Sequence, residues 1–137
     1  MDANILLDTM DSTRKSSAYS ERIILYCLKN RIGLFSSFDI ISTIYYDEAK
    51  KSKPNALRKI TDINSIVNII EFANKEIAKA CELMETKVYK DLEDTIQYVL
   101  AKKTNCDAII TNDRDFVAKD IPILSSREFV KKFVPDG

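Results

Sequence analysis

Along this chain, short apolar runs alternate with longer stretches whose apolar positions recur every three or four residues, the pattern of strands separated by helices. The segment from Ile5 to Met10 is short and apolar and gives way to a polar run, Asp11 to Ser17. A helix is then predicted from about Ala18 to Asn30, with Ile23, Ile24, Tyr26, Cys27 and Leu28 as its apolar face. Ile32 to Phe35 reads as a short buried strand. Ser36 or Ser37 is placed to cap a helix reaching Lys51, whose apolar positions include Phe38, Ile41, Ile44 and Tyr45. Pro54 sits where a helix tolerates proline, in its first turn.

Further on, Ile66 to Phe72 is β-branched and apolar, a strand candidate. Asn74 to Thr86 has helical spacing with Ile77, Ala80, Cys81 and Met84 in register, and Asp91 to Lys103 does so with Ile96, Val99 and Leu100 inward. A buried strand over Asp107 to Ile110, an acidic loop, a strand over Pro122 to Leu124 and a capped helix to Phe133 complete the pattern. Strands joined through helices imply right-handed crossovers and a mostly parallel sheet covered on both faces, a three-layer α/β sandwich. At 137 residues, without repeat or linker, the whole chain is expected to be one domain. In such sheets, functional groups gather at the carboxyl ends of the strands.

Composition narrows the chemistry. Gly33 is the only interior glycine, which excludes a glycine-rich phosphate loop or dinucleotide fingerprint. Histidine is absent, so histidine bases, catalytic triads and histidine-bound zinc are excluded too. What remains is carboxylate, lysine, tyrosine, cysteine and metal-bound water. The formal net charge is zero, from 21 basic and 21 acidic residues, so any contact with nucleic acid must use local patches or a bridging metal. Cys27, Cys81 and Cys106 are widely spaced, each in apolar sequence, and read as buried, reduced thiols. No stretch is apolar enough for a membrane span and no signal peptide pattern opens the chain, so a cytoplasmic protein is expected.

The carboxylates fall where the strand rule directs attention. Asp113 and Asp115 follow the strand ending at Ile110, Asp94 lies in the first turns of a long helix, and Asp2 precedes Ile5-Leu6-Leu7. Carboxylates converging at a crevice repel one another unless a cation lies between them. Oxygen-only ligation favours Mg2+ or Mn2+ over zinc, and such an ion suits phosphodiester hydrolysis. Acids at a helix N-terminus also serve the helix dipole, so spacing alone leaves both readings open.

The runs Asp91-Leu92-Glu93-Asp94-Thr95-Ile96-Gln97-Tyr98 and Cys106-Asp107-Ala108-Ile109-Ile110-Thr111-Asn112-Asp113-Arg114-Asp115-Phe116 resemble the C-terminal half of bacterial PIN domains. Met1-Asp2-Ala3-Asn4 followed by an apolar run is similar to the family's first motif, and Ile121 to Phe129 to its last strand and helix. The resemblance implies a metal-dependent endoribonuclease, commonly the toxin of a toxin–antitoxin pair, with RNA as substrate, an antitoxin protein as partner and a homodimer as assembly. Carried over by position, it makes Asp2, Asp94 and Asp113 the catalytic and metal-binding acids. Asp115 becomes an auxiliary metal-binding acid, Thr111, Thr43 and Asn4 supporting residues, and Asp107 a structural residue at a strand start.

Two departures from the family pattern bear on activity. In the motif Ile41-Ser42-Thr43-Ile44-Tyr45-Tyr46, Thr43 occupies the place of an acid, and the flanking Asp39 and Asp47 read chiefly as surface charge. The family's first acid ends a strand, and Met1-Asp2 leaves no room for one, so the first strand is expected to be missing or truncated. Both favour the alternative, a weak or inactive PIN-like module that binds RNA or a protein. Lys50, Lys51, Lys53, Arg58 and Lys59 are expected to form a solvated helical face rather than an RNA track, and at least one of Tyr45 and Tyr46 to pack in the core rather than stack on bases.

Overall fold

The computed structural model describes residues 4–7 and 14–135. In chain order the elements are β1 (Asn4–Leu7), α1 (Arg14–Lys29), β2 (Leu34–Ser36), α2 (Phe38–Ala49), α3 (Lys53–Ile66), β3 (Asn68–Ile69), α4 (Asn74–Met84), α5 (Leu92–Lys103), β4 (Cys106–Ile110), β5 (Ile123–Leu124) and α6 (Ser126–Phe133). The strands form one sheet in the order β3-β2-β1-β4-β5, and every pairing is parallel. The chain winds outward from β1 to β2 and β3, then returns to lay β4 against the other side of β1. The carboxyl ends of β1 and β4 therefore flank the topological switch point, where a parallel sheet opens a crevice.

The first strand, expected to be missing or truncated, is present as four residues at the centre of the sheet. It follows Asp2 in sequence instead of preceding it. A strand with neighbours on both sides and helices on both faces needs an unbroken apolar run, and Ile5-Leu6-Leu7 is one. Ile5 is level with Leu34 on β2 and with Ala108 on β4, and Leu7 with Ile110. Between Asn4 and Ile5 the register with β4 skips Asp107, which makes that residue the extra member of a bulge and accounts for its exposure.

Two cores lie on the two faces. One joins Ile23 and Cys27 of α1, Ile44 of α2, Ile63 of α3 and Phe129 and Val130 of α6 to Leu34 and Ile110. The other joins Tyr98, Leu100 and Ala101 of α5 to Ile109, Phe116, Ile121 and Tyr89. Ile109 and Ile110, adjacent on β4, point into opposite cores, as the two-residue strand period requires. Both are fully buried.

Helix α4 departs from its expected face. Ala80 is buried and Met84 half-buried, but Ile77 and Cys81 are exposed, and Glu76 is buried in their stead. Glu76 tolerates burial because its carboxylate accepts from the Ala73 N–H at 2.8 Å and lies 3.6 Å from the Lys103 ammonium. Of the three thiols expected to be buried, Cys27 and Cys106 are and Cys81 is not. The run Ile66 to Phe72 contributes only Asn68 and Ile69 to the sheet, because Ile66 still belongs to α3. No helix among the described residues is long and apolar enough to cross a membrane.

Candidate active site

Helix α5 presents its first turn to the switch point. Its N-cap is Asp91, whose Oδ1 accepts from the Asp94 N–H at 2.9 Å, while the Thr95 hydroxyl donates to the Asp91 carbonyl at 2.6 Å. These bonds satisfy helix-end groups that would otherwise compete for nearby carboxylates. They fix the start of the helix, and with it Asp94, which is half-buried.

The second wall is built by the chain leaving β4. Thr111, buried, accepts at its Oγ1 from the Asp113 N–H at 3.1 Å, and the Asp113 Oδ1 accepts from the Asp115 N–H at 2.9 Å. Asn112 turns the other way and accepts from both the backbone and the hydroxyl of Ser126, at 3.0 and 3.1 Å, which ties the loop to the start of α6. Thr111 and Asn112 thus make a short, anchored turn that holds Asp113 at the carboxyl edge of the sheet. Asp94 and Asp113 line one cavity of about 540 Å3, together with Asp91, Asp115, Lys90 and Val88.

Beside this edge lies a cluster that sequence reading misses. Gln97, one turn along α5 from Asp94, is 1% exposed. Its Nε2 donates to the Ser37 hydroxyl at 2.6 Å and to both Asp39 carboxylate oxygens at 3.3 and 3.4 Å, and Ser37 in turn donates to Asp39. Asp39 is therefore not the surface charge expected of it: it is half-buried at the start of α2, tied through Gln97 to the helix that carries Asp94. Asp47 is a surface charge, 3.9 Å from Lys50. The signal for Gln97 was its three-residue offset from Asp94, which puts both on one side of the helix.

Thr43, at the position of the family's acid, lies exposed on α2. Tyr46 is exposed and Tyr45 half-buried, their rings edge to face at 5.5 Å. Lys50, Lys51, Lys53 and Arg58 are exposed, and Lys59 pairs with Glu48 at 3.2 Å. Asn4 opens β1 level with Cys106, at the amino edge of the sheet. Asp2 lies outside the described residues.

The donor set suits a hard cation: the cavity offers carboxylate oxygens and no thiolate or imidazole. Among the described residues, no three acidic or thiol side chains come together closely enough to hold a metal ion. What the described residues do bring together is a pair of carboxylates, Asp94 and Asp113, on two walls of one cavity.

Comparison with known proteins bears on the same residues. The family model described as PIN domain matches residues 1–115, from β1 to the Asp113-Arg114-Asp115 turn. The chain is also 42% identical over 134 residues to Ribonuclease VapC1 of Aquifex aeolicus (strain VF5), an alignment spanning 97% of this chain and 93% of that protein. With a doubly covered parallel sheet, acids at its switch point and a family match over most of its length, this chain belongs to the PIN domain family.

Proposed function

We propose that the protein is a metal-dependent endoribonuclease that hydrolyses RNA phosphodiester bonds, as the toxin of a toxin–antitoxin pair. The observation that carries the reading is the pair Asp94 and Asp113 facing one cavity at the switch point, each held by its own turn. The ribonuclease name of the relative supports the same activity. Asp94 and Asp113 would hold Mg2+ or Mn2+, and that ion would neutralise phosphate charge and acidify a bound water. Thr111 positions Asp113, Asp91 positions the turn of Asp94, and Asp115 serves as an auxiliary acid. Water adds in line to phosphorus and the P–O bond to the leaving nucleotide breaks, with no covalent enzyme intermediate.

The direction of β1 supports a reading of the third acid. Its carboxyl end is level with Ile110, three residues before Asp113, and the residue bonded to Leu7 is Asp8. Its amino end is level with Cys106, about 10 Å away for a four-residue strand. We therefore propose Asp8, in preference to Asp2, as the first acid; both lie outside the described residues. Mn2+-dependent cleavage of a single-stranded RNA pool tests this. Cleavage that chelator stops, that falls at least a hundredfold in Asp8→Asn, Asp94→Asn and Asp113→Asn, and that survives in Asp2→Asn, is the expected result. Loss in Asp2→Asn with Asp8→Asn active would return the first acid to Asp2.

A weak or inactive binding module is favoured by one observation, the uncharged and exposed Thr43; RNA binding without cleavage by the wild type would select it. On the same reading the protein works in the cytoplasm, as a homodimer held by an antitoxin protein. Exposed Leu25 and Leu28 on α1 are apolar surface for such contacts.

A further inference from the structure

Lys90 is the one cation lining the cavity of Asp94 and Asp113 among the described residues, and the chemistry above gives it no task. It stands directly before the N-cap Asp91, in the connection between α4 and α5, and its side chain is exposed. The other charged groups of the cavity are Asp91, Asp94, Asp113 and Asp115. Yet among the described residues the Lys90 ammonium makes no ion pair or hydrogen bond. Lysines elsewhere on α4 and α5 behave differently: Lys79 pairs with Glu82, Lys102 with Asp120 and Lys103 with Glu76.

A cation in that place is a disadvantage if the cavity has only a metal ion to bind, since two positive charges in one cavity repel. It becomes useful when an anion enters. A backbone phosphate approaching Asp94 and Asp113 meets four carboxylates, and an ammonium on the same cavity offsets that repulsion at the non-bridging oxygens. Lysine serves as a compact point charge with three donors, which suits a phosphate whose orientation is set by other contacts. Val88, two residues earlier and 38% exposed, offers the sugar or base of the same nucleotide an apolar surface.

We propose that Lys90 is the phosphate-positioning residue of this site, its ammonium receiving a non-bridging oxygen of the RNA backbone so that phosphorus lies opposite Asp94 and Asp113. The assignment rests on the ribonuclease reading and adds a residue to it. Its test compares wild type, Lys90→Ala and Lys90→Arg in two binding measurements. One is fluorescence anisotropy with a nuclease-resistant 2′-O-methyl oligoribonucleotide, and the other is calorimetric titration with Mn2+ alone.

Lys90→Ala should weaken oligonucleotide binding roughly tenfold and flatten the log Kd against log salt slope by about 0.7, one single-strand phosphate contact. Mn2+ affinity should stay the same or rise, and Lys90→Arg should keep oligonucleotide binding within about threefold of wild type, since it keeps the charge. A merely structural Lys90 would lower both affinities together, and that result would overturn the assignment. So would wild-type cleavage of RNA with Lys90→Ala unimpaired in both cleavage and binding. A wild type that neither binds nor cleaves RNA would overturn the ribonuclease reading, and this assignment with it.

Discussion

Cys27 has no exposed surface, and burial pushes its thiol up to about 12. Cys106 is raised as well, by burial first and the Asp107 charge last, against a lowering contact from Thr104. A raised thiol favours the folded protein while it stays protonated. That contribution is complete below the unfolded value near 9 and is lost as pH rises toward 12. Stability should therefore fall above pH 9, with a slope from Cys27 approaching about 1.4 kcal/mol per pH unit. Cys27→Ala, itself less stable at neutral pH, should show a shallower decline in urea melts between pH 8 and 10.5; an unchanged slope would discount the thiol. Exposed Cys81 should react with a thiol reagent in the native state while the other two wait for unfolding. The three thiols look alike in sequence. What separates them is Glu76: by taking the inward position of α4 it turns Cys81 outward, and a buried glutamate is the last residue hydropathy would choose for a core.

Element positions were legible from periodicity, and their ends less so, because the usual stop signal is missing. Helices commonly close on a glycine in the left-handed region, and this chain has one interior glycine. Arg31, Lys87 and Asn105 take that conformation instead, at φ 57°, 64° and 54°, just past α1, α4 and α5. Past α1, the Ile32 N–H reaches back to the Cys27 carbonyl at 2.8 Å, the closing bond of that motif. A residue with a Cβ pays about 1 kcal/mol there, and asparagine less. Lys87→Gly, on an exposed turn, should stabilise by roughly 0.5 kcal/mol once the looser unfolded chain is counted. Asn105→Gly should gain less. Thermal melts should show Lys87→Gly up by about 1 to 2 °C; a drop would mean the Lys87 side chain contributes more than its backbone costs. The same scale explains the misread first strand. A four-residue strand fits the apolar run Ile5-Leu6-Leu7, but a motif aligned on Asp2 and Asn4 sought the strand before Asp2 and found no room for one. That Asp94 and Asp113 lie near one crevice was legible because a helix start and a strand end each have local sequence signs. The contact of Gln97 with Ser37 and Asp39 was not, since it depends on which elements the fold brings together.

At the scale of the molecule, the site draws on both layers around the sheet. Asp94 belongs to α5, whose apolar side packs in one core, while the turn bearing Asp113 is pinned through Asn112 to α6, which packs in the other. If each layer could loosen alone, Asp94 and Asp113 would drift relative to each other well below the unfolding temperature. Strand β4 argues against that, because Ile109 and Ile110 commit one strand to both cores at adjacent residues. Ile109→Ala and Ile110→Ala each remove a fully buried side chain and should cost about 2 to 5 kcal/mol. Sharing no core partners, the two losses should nearly add in the double variant despite the adjacency. Hydrogen exchange separates one cooperative unit from two. In Ile110→Ala, the slowest amides of α5 should lose as much protection as those of α1, although the deleted atoms face α1 and α6. Protection lost in α1 and α6 alone would make the layers independent. The distance between Asp94 and Asp113 would then be a variable the protein can change while it stays folded.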